Sequence, residues 1–149
     1  MRLVSLKPPL IACLFLALSV GLHFLLPPGS CRQFACVLCG VMAIALGVGV
    51  LVWAWWLFRK SGTPTRPTHQ ATALVTAGPF RFSRNPMYLA LVVMLLGIAV
   101  WVGSVPMLIA PVGFFAFMSL VFIPYEERRL CETFGDAYIS FTHRVRRWI

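Results

Sequence analysis

The acidic residues of this sequence are confined to one short stretch near its end. All four lie between Glu126 and Asp136, and the preceding 125 residues contain none. Glu126 and Glu127 directly follow an apolar segment, where a pair of carboxylates could bind an ammonium group through charge-assisted hydrogen bonds. The same pair could simply begin a solvated helix, because acids and a preceding Pro124 both favour a helix N-terminus.

A second polar cluster lies in the segment 78–88, Gly-Pro-Phe-Arg-Phe-Ser-Arg-Asn-Pro-Met-Tyr. Its two prolines preclude one continuous helix. Arg84, Asn85 and Tyr88 offer a cation, an amide and a phenol, although Arg81 and Arg84 could also be anchors at a membrane surface. Opposed to the glutamate pair, this cluster suits a zwitterionic amino-acid ligand, whose carboxylate would face arginine. Apolar walls around it would suit a purine and a lipid chain.

The composition predicts that membrane helices position these groups. Apolar residues make up 60 % of the 149 residues, charged residues only 11 %, and the mean hydropathy is +0.86. A soluble domain has about 25 % charged residues, so a soluble globule and a disordered chain are both excluded. The net charge of +9 does not indicate nucleic acid, because the basic residues flank long apolar runs and therefore suit an anionic membrane surface.

Three uncharged runs predict an all-α, multi-pass integral membrane protein with about four spans and a C-terminal interfacial helix. The third run, 87–125, is too long for one crossing, and Gly103, Ser104 and Pro106 favour a turn near its middle. The predicted spans are 8–26, 34–58, 86–103 and 105–123, with a cytoplasmic loop 59–85 and a cytoplasmic tail 124–149.

The distribution of lysine and arginine predicts the orientation. With both termini cytoplasmic, every Lys and Arg except Arg32 lies on the cytoplasmic side, as the positive-inside rule favours. For a bacterial protein this would be the inner membrane. Residues 1–30 could instead be a cleaved signal peptide, but 26–30 is a poor cleavage site, so we favour an uncleaved first span.

Small residues of the second span suggest close helix contacts. Gly40, Gly47 and Gly49 are interpreted in that way. Cys36 and Cys39 could be a redox or metal motif, but no second Cys/His pair accompanies them, and we interpret them as small buried apolar residues. No metal site is predicted.

The two polar clusters resemble the signatures of the isoprenylcysteine carboxyl methyltransferase and phospholipid methyltransferase superfamily. The segment 78–88 is similar to its Gly-Pro-Tyr-Arg-x-x-Arg-His-Pro-x-Tyr signature, and residues 126–138 with 145–149 are similar to its C-terminal signature. The resemblance covers roughly the second half of the chain, from Leu74 onwards.

The resemblance implies a membrane-embedded methyltransferase that uses S-adenosylmethionine and acts on a lipophilic acceptor among membrane lipids. Arg84, Asn85 and Tyr88 are the implied catalytic residues. The implied cofactor-binding residues are Arg84, Asn85, Pro86, Tyr88, Glu126, Glu127, Tyr138 and Arg146, with Glu126 the first choice for the cofactor ammonium. Asn85 stands where the family often has histidine, and asparagine cannot titrate near neutral pH.

The sequence leaves the methyl acceptor open. A carboxylate needs no general base, whereas an ammonium headgroup must first lose a proton, and few bases are near: His69 in the loop and His143 in the tail. This scarcity favours an acidic or thiol-like acceptor without excluding an amine. Two other functions are considered as well, a lipid or sterol reductase that uses NADPH and a non-enzymatic lipid-binding membrane protein.

Overall fold

The chain forms a bundle of helices. A computed structural model describes residues 7–26, 35–60 and 74–149. In this part of the chain there is no β-strand, which confirms the predicted all-α class. The α-helices are α1 (Pro8–Leu25), α2 (Val37–Lys60), α3 (Pro86–Val102), α4 (Ile109–Phe117), α5 (Ile123–Phe134) and α6 (Asp136–Arg144). Short 3₁₀ turns occupy Gly78–Arg81 and Val105–Leu108, and a π turn occupies Met118–Phe122.

Three helical segments of the described chain are long and apolar enough to cross a membrane: Pro8–Leu25, Val37–Lys60 and Val105–Phe134. An integral membrane protein is thereby confirmed. The 17-residue α3 is apolar but shorter. It measures about 26 Å, slightly less than the roughly 30 Å of a hydrocarbon core. The fourth span and the orientation of the termini stay predictions.

Helices α2 and α3 run antiparallel and touch through glycines. A Cβ atom on Gly40 would lie 2.7 Å from the carbonyl oxygen of Gly97, and one on Gly47 would lie 2.8 Å from that of Ala90. Such close backbone approach is typical of small residues in membrane helix pairs. The expectation for Gly49 is wrong, because a Cβ there would meet nothing within 4 Å.

The interpretation of the two cysteines as buried apolar residues is also wrong. Cys36 is half-buried and Cys39 is exposed. The backbone N–H of Cys36 donates to the carbonyl of Val100 at 3.1 Å, and its Sγ accepts the N–H of Cys39 at 3.3 Å. Cys36 thus ties the beginning of α2 to the end of α3.

The chain turns between α3 and α4 at Gly103 and Ser104. Gly103 has a positive φ of 71°, and a Cβ there would lie 2.5 Å from Ala35, so both the conformation and the space require glycine. Ser104 is wholly buried, and its hydroxyl lies 2.8 Å from Nδ1 of His23 at the end of α1. This hydrogen bond joins α1 to the turn.

The segment from Val105 to Phe134 is helical throughout, with the π turn in its middle. The π turn ends two residues before Pro124, which has no N–H to donate and whose ring would crowd the carbonyl four residues earlier. Phe114, Met118 and Phe122 are fully buried and form the centre of the core. The helix then carries Glu126 and Glu127 out of the core at the end where α3 begins.

Candidate active site

The first wall of the candidate site is the turn that leads into α3. Gly78 has a positive φ of 59° and begins a 3₁₀ turn whose Pro79 and Phe80 are buried. Phe80 packs against Phe58 of α2, with ring centroids 5.4 Å apart. Pro86 is the buried first residue of α3, a position that suits its fixed φ. The chain between these two anchors presents residues 83–85.

The second wall is the extended tail after α6, which is hydrogen-bonded to the first. The backbone N–H of Arg84 donates to the carbonyl of Arg146 at 3.0 Å. The Asn85 side-chain amide donates to the carbonyl of Arg147 at 3.0 Å, and the Ser83 hydroxyl donates to the same oxygen at 3.4 Å. These three bonds hold residues 83–85 and 146–147 side by side.

Glu127 lies between two arginines. Its Oε1 is 3.0 Å from Nη1 of Arg84, and its two oxygens accept from Nε and Nη2 of Arg147. The Glu127 and Arg84 side chains are only 18 % and 15 % exposed, whereas Arg147 is 40 % exposed. Because charge-assisted contacts from two arginines converge on one carboxylate, Glu127 fixes both guanidinium groups at the same place.

Glu126 has a different partner. Each of its carboxylate oxygens lies 2.8 Å from the hydroxyl of Tyr88, whose ring meets Phe122 edge-on. A phenol has one proton, so only one hydrogen bond is donated to a carboxylate that has about four acceptor positions. Glu126 therefore keeps acceptor capacity for a further donor.

Tyr138 of α6 lies beside the cluster of Arg84, Glu127 and Arg147. Its side chain is buried, and this burial, together with the nearby charge of Glu127, raises the pKa of its phenol, while Arg84 opposes the shift. Tyr138 is therefore neutral and protonated at physiological pH. The hydrogen bond to Glu127 also raises the pKa of Arg147, so the guanidinium keeps its charge.

One hydrogen-bond donor of this cluster has no partner in the part of the chain that the structure describes. Nε of Arg84 is buried and has no hydrogen-bond partner among the described residues. An unsatisfied buried donor is costly, the more so when it carries charge. Arg84 pairs with Glu127, the residue next to Glu126, so this donor and the spare acceptor of Glu126 give the cluster the two complementary groups that an amino-acid zwitterion requires.

Comparison with known proteins places the chain in a family. The sequence profile described as phospholipid methyltransferase matches residues 35–137. The chain belongs to the phospholipid methyltransferase family. It is also 35 % identical over 79 residues to Protein-S-isoprenylcysteine O-methyltransferase B of Arabidopsis thaliana, a match that covers 48 % of this chain and 36 % of that protein. The chain thus spans about a third of the length of this curated relative. No solved structure matches it.

Six of the residues singled out in the sequence of this family member meet in the cluster. They are Arg84, Asn85, Tyr88, Glu126, Glu127 and Tyr138. Pro86 shapes the beginning of α3 rather than offering a polar group. Of the histidines considered as bases, His143 is exposed on α6, and His69 lies outside the described residues.

Arg146 differs from expectation, since it contributes its backbone carbonyl while its side chain is exposed. The second guanidinium at Glu127, beside that of Arg84, belongs to Arg147. Val145 has extended backbone angles, and successive side chains of an extended segment point to opposite sides. Only one of the two arginines can therefore face the cluster, but the sequence does not say which.

Proposed function

We propose that the chain transfers a methyl group from S-adenosylmethionine to a lipophilic acceptor. The observation that carries this proposal is the buried, unpartnered Nε of Arg84, whose guanidinium pairs with Glu127, the residue after Glu126. A guanidinium donor suits the carboxylate of the cofactor, and a carboxylate suits its ammonium group. The family supports methyl transfer, and these groups fit the amino-acid end of this cofactor.

In this proposal Arg84 and Arg147 hold the carboxylate side of the cofactor and Glu126 holds its ammonium. Asn85, through the Arg147 carbonyl, and Pro86 keep the wall in place, while Tyr88 orients Glu126 and Tyr138 covers Arg84 and Glu127. The sulfonium of the bound cofactor supplies an electrophilic methyl group. What the chain contributes is alignment of the two reactants and exclusion of water, since methyl transfer is an in-line displacement.

For the acceptor we propose a carboxylate on a lipophilic molecule. The relative is named for O-methylation of isoprenylcysteine, and the family for phospholipids. Transfer to a carboxylate removes both charges and needs no base, whereas an ammonium headgroup must first be deprotonated. Asn85 cannot accept a proton near neutral pH. The residues around Arg84 therefore favour an anionic acceptor over an amine.

We place the site on the cytoplasmic side, with both termini on that side. The end of α2 that carries Arg59 and Lys60 is also the end that approaches Gly78, because a Cβ on Gly78 would lie 3.3 Å from the Trp53 ring. Arg59 and Lys60 lie over the rings of Trp55 and Trp56, an arrangement typical of a membrane interface. Basic residues and the cluster are thus at one end of the bundle.

Ligand binding by the purified protein tests the proposal. We expect methyl-labelled S-adenosylmethionine to be retained, and its label to pass to an isoprenylcysteine carboxylate faster than to phosphatidylethanolamine. Faster labelling of the amine would overturn the choice of acceptor and leave methyl transfer standing. Retention of NADPH instead would favour a reductase, and retention of neither a lipid-binding protein without catalytic activity.

A further inference from the structure

Trp148 connects the tail to a membrane helix. Its indole N–H donates to the hydroxyl of Ser119 at 3.2 Å, and its ring lies 4.6 Å from that of Phe115, at an angle of 32°. Ser119 belongs to the π turn, and Trp148 packs against the buried apolar core. Tryptophan usually needs a partner for its N–H when it enters apolar surroundings, and Ser119 provides one.

The position of Ser119 relative to the glutamates shows how the tail is anchored. Ser119 precedes Glu127 by eight residues of the same helical segment, about 12 Å along its axis. Trp148 and the neighbouring Arg147 therefore contact one helix at two levels, the indole among apolar side chains and the guanidinium at the polar end.

Arg147 depends on such an anchor. Its side chain is 40 % exposed, more than its partners Arg84 and Glu127, and it extends from a segment without helical hydrogen bonds of its own. An exposed arginine loses rotamer freedom when it is held in a single geometry, which lowers the net gain from its ion pair. A fixed neighbouring backbone reduces that loss.

We propose that Trp148 is a positioning residue, which holds Arg147 at Glu127 by docking its indole N–H on Ser119. This role rests on the proposed function, because the group being positioned is a proposed ligand of the cofactor carboxylate. Trp148 itself need not touch cofactor or acceptor. The π turn carries the Ser119 hydroxyl that accepts this indole N–H.

Substitutions at both ends of the hydrogen bond test this role through the affinity for S-adenosylmethionine. Ser119→Ala and Trp148→Phe should each weaken binding about three- to tenfold, the effect of one hydrogen bond. Ser119→Thr keeps the hydroxyl and should restore binding. Trp101→Phe, at an exposed ring on α3, is the matched control and should bind like the parent protein.

A double-mutant cycle separates positioning from general stability. If Trp148 acts through Arg147, Ser119→Ala should add little in an Arg147→Ala background, because the group it positions is already gone. Additive losses, or no rescue by Ser119→Thr, would overturn the proposal.

A readout without ligand keeps this test separate from the proposed function. The Nε–H of Arg147 donates to Glu127, so its NMR signal should exchange faster with water in Ser119→Ala than in the parent protein. An unchanged exchange rate would contradict the positioning role. If the parent protein fails to bind S-adenosylmethionine, the proposed function falls, and this exchange rate still decides whether Trp148 positions Arg147.

Discussion

At the end of the bundle where α3 begins, charged side chains converge from three parts of the chain, whereas at the opposite end helix backbones touch and hydrogen bonds join the helices. The first end holds Arg84, Glu127 and Arg147 in ion pairs and leaves a buried donor unsatisfied. At the opposite end, His23 bonds to the buried Ser104, and Gly40 meets Gly97.

The two ends of the bundle contribute differently to stability and to ligand binding. Close glycine contacts and hydrogen bonds between helices stabilise the packing and leave little room for a ligand. Buried charges are costly even when they are paired, and their net contribution to stability is small or negative. A cluster that keeps two arginines, two glutamates and an unused donor is therefore better explained by ligand binding than by folding.

The largest effect is expected from Glu127→Gln. This change leaves Arg84 and Arg147 without their shared counter-charge, so they repel each other and the tail loses its fixed position. Each charge-assisted hydrogen bond is worth about 1.5–3 kcal/mol, less where side chains are partly exposed. We expect the affinity for S-adenosylmethionine to fall by about 30- to 100-fold, measured by calorimetry in detergent.

Asp136→Asn provides the control for this substitution. Asp136 is also an acid of the tail, but it is exposed in the first turn of α6. The affinity of the Asp136→Asn variant for S-adenosylmethionine should stay within about twofold of that of the parent protein, because a surface charge has only a small effect. Equal losses in the two variants would mean that net charge, rather than the cluster, governs binding.

At the opposite end, Gly97→Ala should lower stability without changing the site. A Cβ on Gly97 would lie 2.8 Å from the carbonyl of Gly40 and 2.9 Å from the backbone nitrogen of Ile44. Crowding of this kind costs about 1–3 kcal/mol. We expect a clearly lower thermal unfolding temperature, with an unchanged cofactor affinity for the protein that stays folded.

Gly49→Ala is the matched variant within the same helix pair. A Cβ at Gly49 meets no atom within 4 Å, so alanine should raise helix stability by about 0.5–1 kcal/mol. The two substitutions should therefore shift the unfolding temperature in opposite directions. Shifts of the same sign would argue against the packing of α2 on α3 described above.

The smallest effect is expected from Asn85→His. The Asn85 amide donates to the carbonyl of Arg147, and a histidine ring N–H can donate in its place. Cofactor affinity should change by less than about threefold, one neutral hydrogen bond at most. Abolished binding would show that this position does more than hold the tail; higher activity on amines would show that a base at position 85 widens the choice of acceptor.

The sequence predicted the helical class, the membrane location and most residues of the cluster, because apolar run lengths and charge distribution are properties of the chain itself. Helix periodicity could also have distinguished the glycines of α2 that contact α3 from Gly49, which does not. Gly40 and Gly47 are seven residues apart and share a face, whereas Gly49 lies about 200° further round from Gly47.

Other features depend on tertiary geometry that no local pattern encodes. The π turn before Pro124 decides which side of the helix carries Ser119 and the glutamates. The register of the extended tail decides that Arg147, not Arg146, faces Glu127. This register is set by the bonds that Trp148 makes to Ser119 and that the tail makes to residues 83–85, which are contacts between segments far apart in sequence.

We propose that the charge of Glu126 binds the cofactor ammonium, and the affinities of two variants test this role. Glu126→Gln keeps the shape and still accepts from the Tyr88 hydroxyl, but it removes the charge; Glu132→Gln makes the same change at an exposed acid of α5. Calorimetry with S-adenosylmethionine should show affinity weakened about ten- to a hundredfold at Glu126 and unchanged at Glu132. Equal affinities in the two variants would contradict the account and leave Glu126 as an acid of the helix that ends at Phe134.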